Sequence, residues 1–209
     1  TTLVVLRPSA LSDRELFEID QFLCGGGRVV VLHDHESFDL RGSLARTPIE
    51  TGMDEFLAAH GVTIHSSLVY DSRSQRVPAG RQVVTLPNGA QAVVDLTLPY
   101  GFFPALADES LDREHPVTRE ISDITLMWAH PVSLANTPEA LDARVFLRSS
   151  DESWTLPEDA SPAIERSNLE LLRAAASASG QPRSYALAVV LTGAFSTTFE
   201  TNPEGVPPE

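Results

Sequence analysis

Apolar runs and one amphipathic segment alternate at the start of the chain. Thr2–Leu6 is a short apolar run, and Arg28–Leu32 is a second one, rich in β-branched residues. Between them, Leu16, Ile19 and Leu23 recur at the spacing of one helix face. A strand, a helix and a strand with short connections form a right-handed βαβ unit. The pattern therefore predicts two parallel strands joined by one helix.

Both ends of this helix are marked in the sequence. Ser12 and Glu15 have the S-x-x-E spacing of a capping box, in which each side chain bonds a backbone N–H of the first turn. Gly25 stands where a helix ends, so the glycines at 25–27 are expected to stop the helix and not to cradle a phosphate, which would require them before it. Cys24 then lies at a helix end, where we expect a small core residue and no nucleophile.

The rest of the chain shows further strands and helices. The run Arg28–Leu32 has no polar face, so we expect it to lie centrally, between Thr2–Leu6 and another parallel strand. Asn88 and Gly89 predict a β-hairpin turn. Further helices are predicted at 51–60 and 163–178, and strands at 62–64, 82–86, 91–96, 124–128, 145–147 and 185–191. Residues 1–201 are therefore expected to form one α/β domain, three-layered with a mostly parallel sheet, with a hairpin insertion at 81–98. Residues 202–209, with three prolines, are expected to be a disordered tail or linker.

Charge and cysteine content exclude some classes of function. The 209 residues carry 15 basic side chains, all arginine, against 29 acidic ones, for a net charge of −14. Such a chain is repelled by nucleic acid and by anionic membrane surfaces. One cysteine allows no internal disulfide and no cysteine-based zinc site. No stretch approaches the ~20 apolar residues of a membrane span.

Two polar stretches follow predicted strands and are candidate binding sites. The first sits where open α/β sheets place their ligands, and consists of His33, Asp34, His35 and Glu36. His33 and His35 are two residues apart and can point the same way, so they are candidate metal ligands. A metal would need further ligands from distant residues, of which Asp71, His115 and His130 are available, and the alternative is a hydrated loop. The second stretch contains Ser149 and Ser150, which could bind a polar ligand or simply begin a turn. No cofactor is assigned.

Several segments together resemble a known family. Their order along the chain is LSDRELFEIDQFL (11–23), GGGRVVVL (25–32), MDEFLAAHGV (53–62), LVYD (68–71), HPVT (115–118), LRSSDESW (147–154) and LAVVLTG (187–193). In these words and this order the chain resembles the auxiliary component of an uncharacterised ABC-type transport system, the family that includes a gliding-motility protein of that class. The His-Pro-x-Thr and Ser-x-x-Ser-Trp words are the more specific ones. The histidines at 33 and 35 depart from the plainer Asp-Pro type of loop that is common in the family.

The resemblance implies a fold, a place and partners. The soluble part of this family resembles a flavodoxin-like, class I glutamine amidotransferase-like sheet and lies outside the cytoplasmic membrane, between transmembrane segments. The resemblance therefore implies membrane contact only through anchors that are absent from this sequence. Its implied partners are the permease and ATPase subunits of the same ABC system, and its implied role is binding or scaffolding without catalysis. Two alternatives stay open. One is an α/β hydrolase or amidotransferase-like enzyme that uses strand-end histidine and aspartate residues, although no Cys-His-Glu triad is present. The other is a module that binds a small sugar or peptide at Ser149, Ser150 and the His33 loop.

Overall fold

Strands dominate the computed structural model, which describes residues 1–156, 160–164 and 166–203. The helices are α1 Asp13–Cys24, α2 Asp54–Ala59 and α3 Arg166–Ala178. The strands are β1 Thr2–Leu6, β2 Arg28–Leu32, β3 Glu36–Phe38, β4 Arg46–Pro48, β5 Val62–Ile64, β6 Leu68–Asp71, β7 Ser74–Thr85, β8 Gln91–Ala107, β9 Asp123–Thr125, β10 Val132–Leu134, β11 Leu141–Arg148, β12 Ser153–Leu156 and β13 Ala186–Gly193. Among the described residues, no helix has the length and apolar character needed to cross a membrane.

The predicted βαβ unit is present at the start of the chain. β1 and β2 pair in parallel, with Leu3 opposite Val29. The capping box of α1 forms as expected, because the Glu15 N–H donates to Ser12 Oγ and the Ser12 N–H donates to Glu15 Oε2 at 2.9 Å. Leu16 and Ile19 are buried on the face of α1 that packs on this sheet. The local sequence signals therefore predicted this βαβ unit correctly.

The central position predicted for β2 is wrong. β1 and β2 form a sheet of two strands, and only one of its faces is covered by α1. The other face exposes a cluster of apolar side chains, which we call the bare face, made of Val4, Leu6, Val30 and Leu32, exposed by 58%, 67%, 46% and 48%. The apolar run shows that both faces avoid polar residues. It does not show whether the described chain has another element to pack against each face.

The predicted three-layered, mostly parallel, flavodoxin-like α/β sheet is also wrong. The remaining sheets are antiparallel, with strand orders β11-β13-β10-β5, β7-β8-β9, β12-β6 and β3-β4. Parallel neighbours need a crossover of a dozen or more residues, usually a helix, whereas antiparallel neighbours can be joined by tight turns. Besides α1, the described chain has only α2 and α3 to offer as crossovers, and its many short strands pair antiparallel instead.

The predicted hairpin at 81–98 is part of a longer one. β7 and β8 run through 12 and 17 residues and turn at Asn88, whose Oδ1 accepts the Ala90 N–H at 3.0 Å. The segment after Pro99 continues β8 into the core. Tyr100 and Phe102 on this part of β8 are fully buried.

Three apolar clusters make up the core of the described residues. The largest surrounds Tyr100 and Phe102 and includes residues from β6, β12 and α3. A second joins α1 to α2 through Leu16 and Phe56, and a third gathers around Leu106. The disordered tail predicted at 202–209 falls mostly on residues 204–209, which lie outside the described part of the chain.

Candidate functional site

His33 and His35 meet just beyond the end of β2. The strand ends at Leu32, and the chain turns into β3 within four residues. The two imidazole rings stand edge to face, with centroids 4.7 Å apart and an interplanar angle of 74°. The side chain of His33 is only 2% exposed and that of His35 is 17% exposed. The expectation that these two side chains point the same way therefore agrees with their positions.

Asp54 brings a carboxylate to the two histidines. It is the first residue of α2, and its Oδ1 lies 3.3 Å from His33 Nε2 and 3.9 Å from His35 Nε2. One ligand atom from each residue can be chosen so that all three lie within 4.8 Å of one another. The Thr51 hydroxyl links the carboxylate to the ring, at 3.4 Å from Asp54 Oδ2 and 3.1 Å from His33 Nε2. Two nitrogens and one oxygen thus converge on one point.

A third imidazole, that of His130, packs against the histidine pair. The ring of His130 packs edge to face on His35, with centroids 5.4 Å apart, and its Nδ1 lies 3.1 Å from the Ser67 carbonyl oxygen. His35 Nε2 is 3.0 Å from the carbonyl oxygen of Ile64. His33 Nδ1 is buried and has no hydrogen-bond partner among the described residues, so the polar contacts of that ring all lie on its Nε2 side.

Burial favours the neutral form of two of these imidazoles, those of His33 and His130. Desolvation, together with the neighbouring His35, lowers the pKa of His33, although Asp54 and Asp34 act in the opposite direction. Desolvation also lowers the pKa of His130, again with a contribution from His35. A buried imidazolium would lack water around its charge, which is why burial favours the neutral form. At neutral pH both rings therefore carry a nitrogen lone pair.

The two acids of the same loop turn away from this point. Asp34 Oδ2 forms an ion pair with Arg7 Nε at 3.0 Å. Glu36 forms a two-pronged pair with Arg46, with both N···O distances at 2.5 Å and both side chains about one-tenth exposed. Among the described residues the loop therefore contributes its histidines to the group and its acids to ion pairs.

Sequence comparison identifies the family of the chain. The sequence matches the family described as "ABC-type uncharacterized transport system" over residues 1–209. The chain belongs to this family. Comparisons with curated proteins and with solved structures give no match. The family resemblance drawn from the sequence is thus confirmed, and this chain is an auxiliary component of an ABC-type transport system. Its kinship to the gliding-motility protein stays a prediction.

Three distant residues were named as possible further metal ligands, and one of them, His130, lies at the histidine site of this ABC-transport component. His130 packs on His35, as described above. Asp71 lies elsewhere, where its carboxylate accepts from the backbone N–H and the hydroxyl of Ser150, and the His115 ring stacks on Phe146. Asp54 was not predicted from the sequence, because no spacing links it to the histidines. Its place in the acidic first turn of α2 was the one available signal.

The two predicted serines of this ABC-transport component are buried and engaged inside the fold. Ser150 Oγ donates to Asp71 Oδ1 at 2.6 Å, and Ser149 Oγ accepts the Tyr185 N–H at 2.8 Å. Their side chains are almost wholly buried. These bonds join β6 to the segments that follow β11 and precede β13. A direct ligand role for Ser149 and Ser150 stays a prediction.

An open groove lies next to these serines. Its volume is about 490 Å³, and no acidic residue of the described chain lines it. Arg148 and Arg183 do line it, and the Arg183 guanidinium sits 4.9 Å above the centre of the Tyr185 ring. The described residues thus place two arginines and no acid here, although the chain as a whole has a net charge of −14. The groove therefore offers a locally positive surface to a small polar ligand.

Proposed function

We propose that this chain is the extracytoplasmic binding or scaffolding part of its ABC system and that its bare face docks on the permease subunit. The observation that carries this proposal is the apolar face of β1 and β2 left open to solvent. Parallel sheets are normally covered on both faces, because the helices that connect their strands pack there. Single exposed apolar residues are ordinary, whereas contiguous exposed apolar patches with a polar rim commonly mark interaction surfaces.

The surroundings of the bare face define the partner chemistry. Polar residues border it at both ends, with Arg28 at the start of β2 and the partly exposed Arg7–Asp34 ion pair beyond the ends of both strands. An apolar centre with a polar rim is the usual anatomy of a protein interface. The net charge of −14 favours a partner segment that combines apolar with basic residues. Family membership directs this choice to the ABC system, and within it we choose the permease.

Paired variants test the docking role. Val4→Thr with Val30→Thr makes the bare face polar but keeps β-branched side chains, which suit a strand. The matched control is Val83→Thr with Val93→Thr, a cross-strand pair on the β7–β8 hairpin that is exposed by 59% and 65%. We expect the permease of the same system to co-purify with the wild type and the control, and to be lost from the bare-face variant. Equal recovery with both variants would contradict the proposal.

The compartment requires a separate test. The family resemblance supports a place outside the cytoplasmic membrane, on the side where an export system delivers its cargo. In the native host, a cysteine-reactive reagent that does not cross membranes reports the side of an introduced cysteine. Ser66→Cys and Asp151→Cys, both at exposed positions, are suitable. Labelling of intact cells supports an extracytoplasmic domain, and labelling only after lysis rules it out.

A second candidate function rests on the arginine-lined groove. Two guanidinium groups can hold a carboxylate or phosphate, so the groove supports binding of a small anionic ligand such as an acidic sugar or a peptide carboxylate. Titration with glucuronate and with glucose, which differ in their charge, tests this role. We expect binding of glucuronate but not of glucose, and weaker binding of glucuronate by Arg183→Gln.

The hydrolase or amidotransferase-like alternative was supported by the expectation of a flavodoxin-like sheet. The antiparallel sheets described above remove that support.

A further inference from the structure

We propose that His33, His35 and Asp54 bind a divalent transition metal ion of the zinc class. This inference does not depend on the docking role or on the groove. Two imidazoles and one carboxylate are a ligand set that zinc and its neighbours accept and that magnesium and calcium, which prefer oxygen ligands, do not.

The distances suit such an ion. Zinc lies about 2.0–2.2 Å from nitrogen and oxygen ligands, so ligand atoms around a tetrahedral centre are separated by roughly 3.4 Å. The separations of 3.3 Å and 3.9 Å from Asp54 Oδ1 to the two Nε2 atoms fall around this value. Small side-chain movements suffice to close the site. Three protein ligands leave a fourth position for water or another group.

The surroundings hold the ligands and leave an entrance. His33 is almost completely enclosed, and His35 is wedged between the rings of His33 and His130. Asp54, whose side chain is 55% exposed, stands at the mouth of the site. Its second oxygen is near the Thr51 hydroxyl, an outer contact of the kind that orients a ligating carboxylate. An ion can thus reach the histidines past Asp54.

Binding requires an exchange at His35. Its Nε2 now lies 3.0 Å from the Ile64 carbonyl oxygen at the end of β5, and a metal ion at this nitrogen replaces that hydrogen bond. His33 Nε2 likewise gives up its contact with the Thr51 hydroxyl. The ring proton of each histidine then resides on Nδ1, because a ligating nitrogen must be unprotonated. The negative chain attracts cations in general, so the test must separate a specific site from that background.

Calorimetry with zinc ions on the whole chain is the test. The ligand variants are His35→Gln and Asp54→Asn, chosen because His33 is too buried to replace safely. The controls are His65→Gln and Asp151→Asn, which remove an exposed histidine and an exposed acid elsewhere. We expect one zinc ion per wild-type chain and unchanged affinity in the controls. Loss of an outer-shell partner alone typically costs about 10–100-fold, so each ligand variant should bind at least ~10-fold more weakly.

Absence of zinc binding by the wild type, or equal affinity in all five proteins, overturns the proposal. Circular dichroism shows whether each variant is folded. Where a ligand variant is not folded, the visible absorption spectrum of the wild type with bound cobalt ions is the deciding measurement. Strong absorption of a tetrahedral, nitrogen-ligated ion supports the site, and the weak absorption of an octahedral, water-ligated ion contradicts it.

Discussion

Thr198 donates two hydrogen bonds to Asp20, its backbone N–H and its hydroxyl both reaching Oδ1, at 3.0 Å and 3.1 Å. Asp20 is 1% exposed, so this contact fixes the segment after β13 against the buried side of α1.

Replacing Asp20 should therefore release that segment. Thr198 is exposed, so its freed donors can bond to water, and the loss is that of hydrogen bonds to a buried carboxylate: we expect Asp20→Ala to lower the free energy of unfolding by about 1–3 kcal/mol. Urea denaturation of Asp20→Ala, Thr198→Ala and the double variant measures the coupling. The double variant should lose less stability than the sum of the single ones, and strict additivity would show that the two residues act independently.

Gly101 lies against the ring of Tyr70. A Cβ atom at position 101 would come within 2.5 Å of ring carbons. Because Tyr70 is buried and its ring cannot move freely, we expect Gly101→Ala to cost about 1–3 kcal/mol of stability. The matched control is Gly42→Ala, whose added Cβ meets the carboxylate end of the exposed Asp39, a flexible side chain that can turn away at the cost of its bond from the Arg41 N–H. Similar losses in both variants would mean that the contact with the ring is not the cause.

Cys24 should react slowly with alkylating reagents. Desolvation and the Asp20 carboxylate, whose Oδ2 lies 3.9 Å from the sulfur, raise the pKa of the Cys24 thiol. The thiolate is the reactive form, so a raised pKa leaves less of it near neutral pH. We expect slow labelling by iodoacetamide in the folded protein and fast labelling in urea, followed by mass spectrometry. Asp20→Asn removes the nearby charge and should speed the native reaction; a rate equal in folded and unfolded protein contradicts this account.

Alkaline pH should weaken the fold through Tyr100. Burial raises the pKa of Tyr100 to about 12 and also raises that of the neighbouring Tyr70. A tyrosine in the unfolded chain releases its proton near pH ~10. Between these values the unfolded state loses a proton that the folded state keeps, so stability is complete below about pH 10 and falls as the pH rises toward 12.

Urea denaturation at a series of pH values measures this loss. Tyr100→Phe should show a shallower decline between pH 10 and pH 11.5, although it also loses the hydroxyl bond to the Pro162 carbonyl oxygen, at 2.5 Å. Its stability at pH 8 is therefore lower than that of the wild type. A slope identical to that of the wild type would assign the alkaline loss to other groups.

What could be predicted from sequence depended on how local the signal was. Ser12 and Glu15 fix the start of α1 through neighbours three residues away, and that element was predicted correctly. The cover over Val30 depends on packing between distant segments, so an apolar run could not show that one face stays open. The histidine pair was likewise visible from the chain, whereas Asp54 reaches it only through the placement of α2.

The long β7–β8 hairpin connects an exposed tip directly to the core of the protein. From Gln91 to Tyr100 the strand advances by roughly 30 Å at ~3.4 Å per residue, with no break between the exposed tip and the aromatic core. One continuous strand, and not a loop, therefore joins the tip at Asn88 to the buried Tyr100. On the partner strand, the pairing of β7 with β8 shifts register between Pro78 and Arg81. A displacement of the tip is thereby coupled to the core cluster around Tyr100.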